Sequence, residues 1–186
     1  MDVLEGVAIV LVCGLGFFAW GFVEYLIHGV LSHRLRTPVS PLHWGHHREP
    51  RAVFTSPIAW VPVALVMGTI VVASAGWLGL AFMLGLLVGF ARYERMHWRL
   101  HFREPRNERE ARLRAHHLVH HFRNPQAYHG VTTHRWDRWL GTLPPEHESE
   151  YASVAELPPI EGPSNWGRTW RLTDAWVHVR RSAFRT

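Results

Sequence analysis

The feature that most constrains this chain is a motif it writes twice. His43, His46 and His47 form His-x-x-His-His, and His117, His120 and His121 form it again in the second half. On an α-helix advancing about 100° per residue, positions i, i+3 and i+4 share one face, so each trio presents its rings together. Neutral imidazole is a common ligand of transition metals, and such a trio offers nitrogens to one or two ions without rearranging the backbone. One copy alone reads equally well as a solvated, histidine-rich surface; the second copy favours a metal site. Two pairs extend the set to ten: His28 with His33, and His97 with His101. A spacing of four suits a helical ligand pair. A spacing of five turns the rings about 140° apart on a straight α-helix. His28 and His33 are therefore expected to serve different ions, or His33 to lie past a helix end. Ten imidazoles exceed the needs of one ion, since zinc takes about four ligands and iron rarely more than about six, so two ions are the simplest account. The single cysteine, Cys13, lies in an apolar run, which leaves neither a disulfide framework nor a thiolate site. Nitrogen and oxygen must hold any metal. That suits iron, although spacing alone does not separate iron from zinc.

Hydropathy supplies the scaffold: an all-α, membrane-embedded anchor of about three spans beneath a cytoplasmic helical cap. Residues 6–27 are apolar except for Glu24 and match a hydrocarbon layer of about 30 Å crossed at about 1.5 Å per residue. A cleaved signal peptide is the competing reading; the acidic start, Asp2 and Glu5, and the lack of a small-residue cleavage site favour a retained anchor. Residues 52–73 form a second run, with Pro57 and Pro62 near its beginning, and residues 77–96 a third, joined by a tight turn at Ser74-Ala75-Gly76. The net charge of +5 comes from arginine, because no lysine occurs. Arg34, Arg36, Arg48 and Arg51 fill the first loop and more follow Ala91, whereas the amino terminus and the 74–76 turn carry none. The positive-inside rule then places the amino terminus outside and all the histidine clusters on the cytoplasmic side. Topology and anionic headgroups account for the arginines, which argues against a nucleic-acid partner.

These clusters resemble those of the membrane fatty acid hydroxylase and sterol desaturase superfamily. The pattern His-x4-His, His-x2-His-His, His-x3-His, His-x2-His-His appears in order as His28/His33, His43/His46/His47, His97/His101 and His117/His120/His121. The later Gly-Val-Thr-Thr-His-Arg-Trp-Asp-Arg-Trp-Leu-Gly-Thr is similar to the superfamily's ending, and Tyr93-Glu94 stands where a Tyr-Asp pair is common. The likeness covers roughly residues 20–143, and it is the four clusters together that make it specific. It implies a helical membrane enzyme in which those ten histidines hold two irons, hydroxylating or, less in keeping, desaturating a lipid chain with dioxygen. Electrons would come from a separate ferredoxin or cytochrome with its reductase. Zinc is a possible substitute in a purified sample.

Around the ligands, Glu24 lies four residues before His28 and Glu94 three before His97, where each carboxylate is expected to accept the ligand's other ring N–H. Asp137 is expected to support the site through a salt bridge or cap. His116 is read as a surface or supporting residue pointing away from the His117 face, and His129, His134, His147 and His178 are not counted as ligands. The membrane domain is expected over residues 1–143. Residues 144–186, opening with Pro144-Pro145, read as an irregular cytoplasmic tail with one short amphipathic helix near 172–183, where Trp166, Trp170 and Trp176 can lie on headgroups. Two other functions fit parts of the pattern. A carotenoid ring hydroxylase shares the clusters but has a wider third spacing and lacks the Trp-Asp ending. A non-catalytic metal transporter would spread its ligands along the spans.

Overall fold

A computed structural model describes residues 2–35 and 37–164. The expected helix near 172–183, the three tail tryptophans and His178 lie outside the described residues. Among those described, every regular element is helical.

The first helix, α1, spans Val3–Tyr25 and opens with a capping box, in which Asp2 accepts from the Glu5 N–H and Glu5 accepts from the Asp2 N–H. It passes without a break into a π-helical segment, Leu26–Arg34. There the Leu35 N–H bonds the Val30 carbonyl at 2.9 Å and Ser32 Oγ donates to the Ile27 carbonyl at 2.7 Å, both five residues back. A short helix, α2, follows over Ser40–Arg48. Thr37 and Ser40 tie its start to the π-segment through the Leu31 carbonyl.

The third helix, α3, runs over Pro57–Phe102 and is folded in two at Gly76, whose φ of 55° and ψ of −131° only glycine adopts readily. Past that point the chain doubles back: Gly79 lies against the Val71 carbonyl and Gly68 faces Met83. The anticipated turn at 74–76 therefore joins two antiparallel arms, and the second continues to Phe102 rather than ending near 96.

Glycines set how α1 meets that second arm. Side chains at Gly16, Gly85 and Gly89 would collide with Phe82, Cys13 and Trp20 respectively, so the two helices touch at backbone level, as small-residue stripes allow between apolar helices. Cys13 pairs with Gly85 and Trp20 with Gly89 and Tyr93, so α1 and the second arm run parallel. Both consequently deliver their histidines at the same end. Val3–Arg34 and Pro57–Phe102 are long and apolar enough to cross a membrane, and only 6% and 17% of their most apolar windows are buried, unlike the core helix of a soluble protein.

Over this end sit α4, Glu108–Phe122, the short α5, Arg135–Trp139, and α6, His147–Val154. Asn107 caps α4 by accepting from the Glu110 N–H at 2.9 Å. Buried Glu110 accepts from Arg99 at 2.5 Å and Arg106 at 2.9 Å, fixing α4 to the end of α3. From Pro144 the sequence predicts an irregular stretch as far as a short helix near 172–183. Instead α6 packs on α4, because Tyr151 and Val154 join Leu118, Val119 and Tyr128 in an apolar cluster.

Candidate metal centre

All ten histidines of the four clusters meet at the common end of α1 and α3, in two groups of five. His28, His33, His43, His47 and His120 form one; His46, His97, His101, His117 and His121 form the other. Within each group one ring nitrogen per residue lies within 4.8 Å of every other. Each His-x-x-His-His is divided between them. The i, i+4 members of α2, His43 and His47, go to the first group and His46 to the second; on α4, His117 and His121 go to the second and His120 to the first.

His28 and His33 share one group, contrary to both readings of their spacing. The reason is the π-helix. Its i→i+5 bonding brings residues five apart onto nearly the same side, and the segment carries both rings before it ends.

The first group has the dimensions of a metal site. The Nε2 atoms of His28, His43, His47 and His120 form a closed quadrilateral with edges of 3.1, 2.9, 2.9 and 3.0 Å, and His33 Nε2 lies 2.8 Å from that of His43. A square of about 3.0 Å edge has its centre about 2.1 Å from each corner, the usual metal–imidazole distance. The protons also fit. His28 Nδ1 faces the His129 carbonyl, and His120 Nδ1 faces the Ala127 carbonyl at 2.7 Å. A carbonyl only accepts, so both Nδ1 atoms carry the proton and both Nε2 atoms present bare lone pairs, 2.9 Å apart. Neither can donate to the other, and a cation between them turns that repulsion into coordination.

The second group is more fully buried, with four of its five histidines buried against two in the first. His46 and His117 stack 6.3 Å apart with an 18° interplanar angle, like opposed ligands, and His101 neighbours His46, His97, His117 and His121 at 4.7–5.2 Å. Both ring nitrogens of His46, His97 and His121 are buried without a protein partner. Unpaired polar atoms in such number are costly unless an ion takes their lone pairs.

Two buried carboxylates hold the chain that orients the first group. Residues 127–132 form a strap across it, with Tyr128 in the left-handed region at φ 63°, a conformation costing roughly 1–3 kcal/mol for a bulky residue. Asp137 accepts from the His129 N–H at 2.7 Å, the Gly130 N–H at 2.8 Å and Thr142 Oγ at 2.7 Å. Glu24 accepts from the Val131 and Thr132 N–H groups at 2.6 and 2.9 Å and from Thr132 Oγ at 2.6 Å. The expected Glu24–His28 contact is thus replaced by Glu24–strap and strap carbonyl–His28. Nor does Glu94 reach His97; it accepts from the Thr55 N–H at 3.2 Å and Thr55 Oγ at 2.5 Å. Helical side chains lean toward the amino terminus, so an acid one turn before a ligand leans away from its ring.

His116 is not on the surface. Fully buried, it donates from Nε2 to Asp137 at 3.1 Å and faces Tyr151 Oη at 2.7 Å through Nδ1. His129 is buried too, its ring beside Gly29 and within 5.4–5.8 Å of those of His28, His33 and His120. His134 stands at the start of α5, and His147 Nδ1 donates to the Pro144 carbonyl at 2.8 Å. Sequence reasoning missed the Ala127 and His129 carbonyls, since main-chain acceptors leave no residue signature. The adjoining Gly130 was the available signal: a side chain there would strike the Thr133 carbonyl.

Burial of Asp137 opposes its charge, but His116, Thr142 and the His129 N–H outweigh that and hold the carboxyl below its ordinary value. Asp137→Asn puts an amide NH2 where four donors converge and strands at least one of them, at about 1–3 kcal/mol. Its thermal midpoint in detergent should fall by about 2–10 °C; an unchanged midpoint would contradict the strap's role.

Burial first, then neighbouring imidazoles, keep His43, His117, His120 and His121 well below the ordinary imidazole value, and His47 is brought down to about 3. In the metal-free protein these rings stay neutral when folded and take up protons on unfolding below about pH 6.5. Unfolded chains then bind more protons, so stability is lost as pH falls from about 6.5 toward the folded value near 3. Melting of the metal-free protein should occur at lower temperature at pH 5 than at pH 7.5; a rise would contradict the buried, neutral cluster.

Comparison with known proteins agrees with this geometry. The chain is 35% identical over 153 residues to the fatty acid 2-hydroxylase of Homo sapiens, an alignment covering 71% of this chain and 39% of that protein. Identity to a dihydroceramide fatty acyl 2-hydroxylase of Arabidopsis thaliana is 30% over 147 residues, covering 72% and 61%. The solved structure of full-length scs7p, in which only the hydroxylase domain is visible, superposes with a TM-score of 0.68 at 26% identity, over 87% of this chain and 61% of that one. The chain thus spans about two-fifths to three-fifths of the length of these proteins. A family model for fatty acid hydroxylase matches residues 13–142, the stretch that holds all ten converging histidines, and the chain belongs to that family.

Proposed function

We propose that this chain is a membrane-bound lipid hydroxylase whose ten clustered histidines hold two iron ions. The observation that carries the reading is the quadrilateral of Nε2 atoms with edges near 3.0 Å, two of whose corners are fixed as bare lone pairs. Bound iron would supply the activation of dioxygen needed to oxidise an unactivated C–H bond. The balance is R–H + O2 + 2 e− + 2 H+ giving R–OH + H2O. The residues themselves have defined tasks. His28, His33, His43, His47 and His120 hold one ion, and His46, His97, His101, His117 and His121 the other. Each group would offer five ring nitrogens to its ion. The strap carbonyls keep His28 and His120 in the ligating tautomer, and burial of the rings excludes water from the reacting carbon.

The substrate we infer is a lipid acyl chain. Relatives are named as fatty acid 2-hydroxylase and dihydroceramide fatty acyl 2-hydroxylase, and on that likeness attack falls on carbon 2 of the acyl chain. Exposed apolar side chains of α1 and α3, such as Phe18, Val63 and Leu84, support placing both in the bilayer. Parallel α1 and second arm, with the first arm returning between them in sequence, support three crossings. Trp77, exposed at the Gly76 turn, then sits at the far interface and the metal centre on the cytoplasmic side. The two electrons that the balance requires would come from a ferredoxin or cytochrome with its reductase.

Lipid mass spectrometry of cells expressing the chain tests the reading. An acyl lipid heavier by one oxygen should accumulate with the wild type and not with His46→Ala. A lipid profile identical in the two would contradict it.

A further inference from the structure

We infer that the two metal positions are unequal: the position made by His28, His33, His43, His47 and His120 fills first and holds its ion more tightly than the other. This rests on the reading of the ten histidines as a two-ion centre. The distinction lies behind the ligands. In the first group His28 and His120 each donate Nδ1–H to a strap carbonyl. One of these carbonyls belongs to His129, and the N–H of the same peptide group, that of Gly130, is held by ionised Asp137, giving a chain from carboxylate through amide to imidazole. Such a chain polarises the ring, makes Nε2 more basic and fixes its direction before the ion arrives. The second group lacks this support. His46, His97 and His121 have no partner on either nitrogen, and His117 has none on Nδ1. The Ala52 carbonyl stands near His46 but outside hydrogen-bond geometry. Held by packing alone and not by a bond behind the ring, these rings are less firmly aimed before the ion arrives and present a less basic nitrogen.

Each hydrogen bond behind a ligating histidine changes metal affinity by about 10–100-fold, so two of them predict release steps separated by at least about tenfold in chelator. The test dialyses the iron-loaded full chain in detergent, without oxygen, against graded chelator and counts retained iron by elemental mass spectrometry. Two equivalents should leave in two steps, and His97→Ala should retain only the tight one. Because that variant can fail to fold, wild-type protein carrying one equivalent of iron is also footprinted with a histidine-acylating reagent. His43 and His47 should be protected while His121 remains reactive. Release of both equivalents in one step, or protection of His121 ahead of His43, would overturn the inference and leave the two-ion centre standing. Wild-type protein that takes up less than one equivalent would overturn the two-ion reading itself.

Discussion

His120→Ala is expected to reduce product to background, a loss of at least about 100-fold, and to lower bound iron from two equivalents to one or fewer. His120 Nε2 forms two edges of the quadrilateral, 2.9 Å to His28 and 3.0 Å to His47, and its ring lies between the groups, 5.9 Å from that of His121. Alanine removes a corner and strands the Ala127 carbonyl that the ring satisfied. Outer-partner losses alone cost about 10–100-fold in metal affinity, and loss of a ligand costs more. His147→Ala is the matched control, since that ring bonds the Pro144 carbonyl, faces Glu148 at 3.4 Å and belongs to neither group of five. Elemental analysis with lipid mass spectrometry separates the two. Equal iron in both variants would count against the ligand assignment.

The second large effect is on folding. In Gly85→Ala the new methyl meets the Cys13 carbonyl oxygen and lies 2.8 Å from the Phe17 amide nitrogen. Both are backbone atoms of α1, so no rotamer change relieves the clash and the helices must part. Overpacking of ordinary side chains costs about 1–3 kcal/mol, and a clash between two backbones belongs at or above the upper end. For a chain of this length that lowers the thermal midpoint by about 6–12 °C or prevents recovery of folded protein. Iron binding should suffer with it, because parting α1 from the second arm carries His28 and His33 away from His97 and His101. Gly14→Ala is the control on the same helix, with nothing within 4 Å of its added carbon, and its midpoint should be unchanged or slightly raised. Equal melting of the two variants would contradict glycine-mediated contact.

Most of the site was legible before any coordinates. The ten converging histidines are those that spacing and resemblance had singled out, because ligand pairs at i, i+3 and i+4 follow from helix geometry alone. What failed was the assumption that the helix period is constant. α-Helical geometry separates His28 from His33, and the π-helix reunites them; a change from i→i+4 to i→i+5 bonding leaves no mark in composition. The acids were misassigned for a related reason. Spacing puts Glu24 and Glu94 on the ligand faces, but side-chain tilt turns them toward Val131, Thr132 and Thr55, none of which adjoins them in sequence. His116 was correctly turned away from the His117 face. Its burial depended on α6, which an irregular reading of residues after Pro144 had removed.

The hairpin at Gly76 was anticipated from Ser-Ala-Gly, since a glycine between two long apolar runs is where left-handed backbone is least strained. The glycine stripe on the second arm was not anticipated. Gly85 and Gly89 mean little until Gly16 is known to lie opposite, and that pairing depends on α1 and the second arm running parallel.

X-ray absorption at the iron edge of the reconstituted chain reads the ligand set itself. Two irons per chain should each show a first shell of about five imidazole nitrogens at about 2.1 Å, with the outer-shell scattering of the rings and no sulfur. A first shell dominated by oxygen or sulfur, without imidazole scattering, would contradict the account.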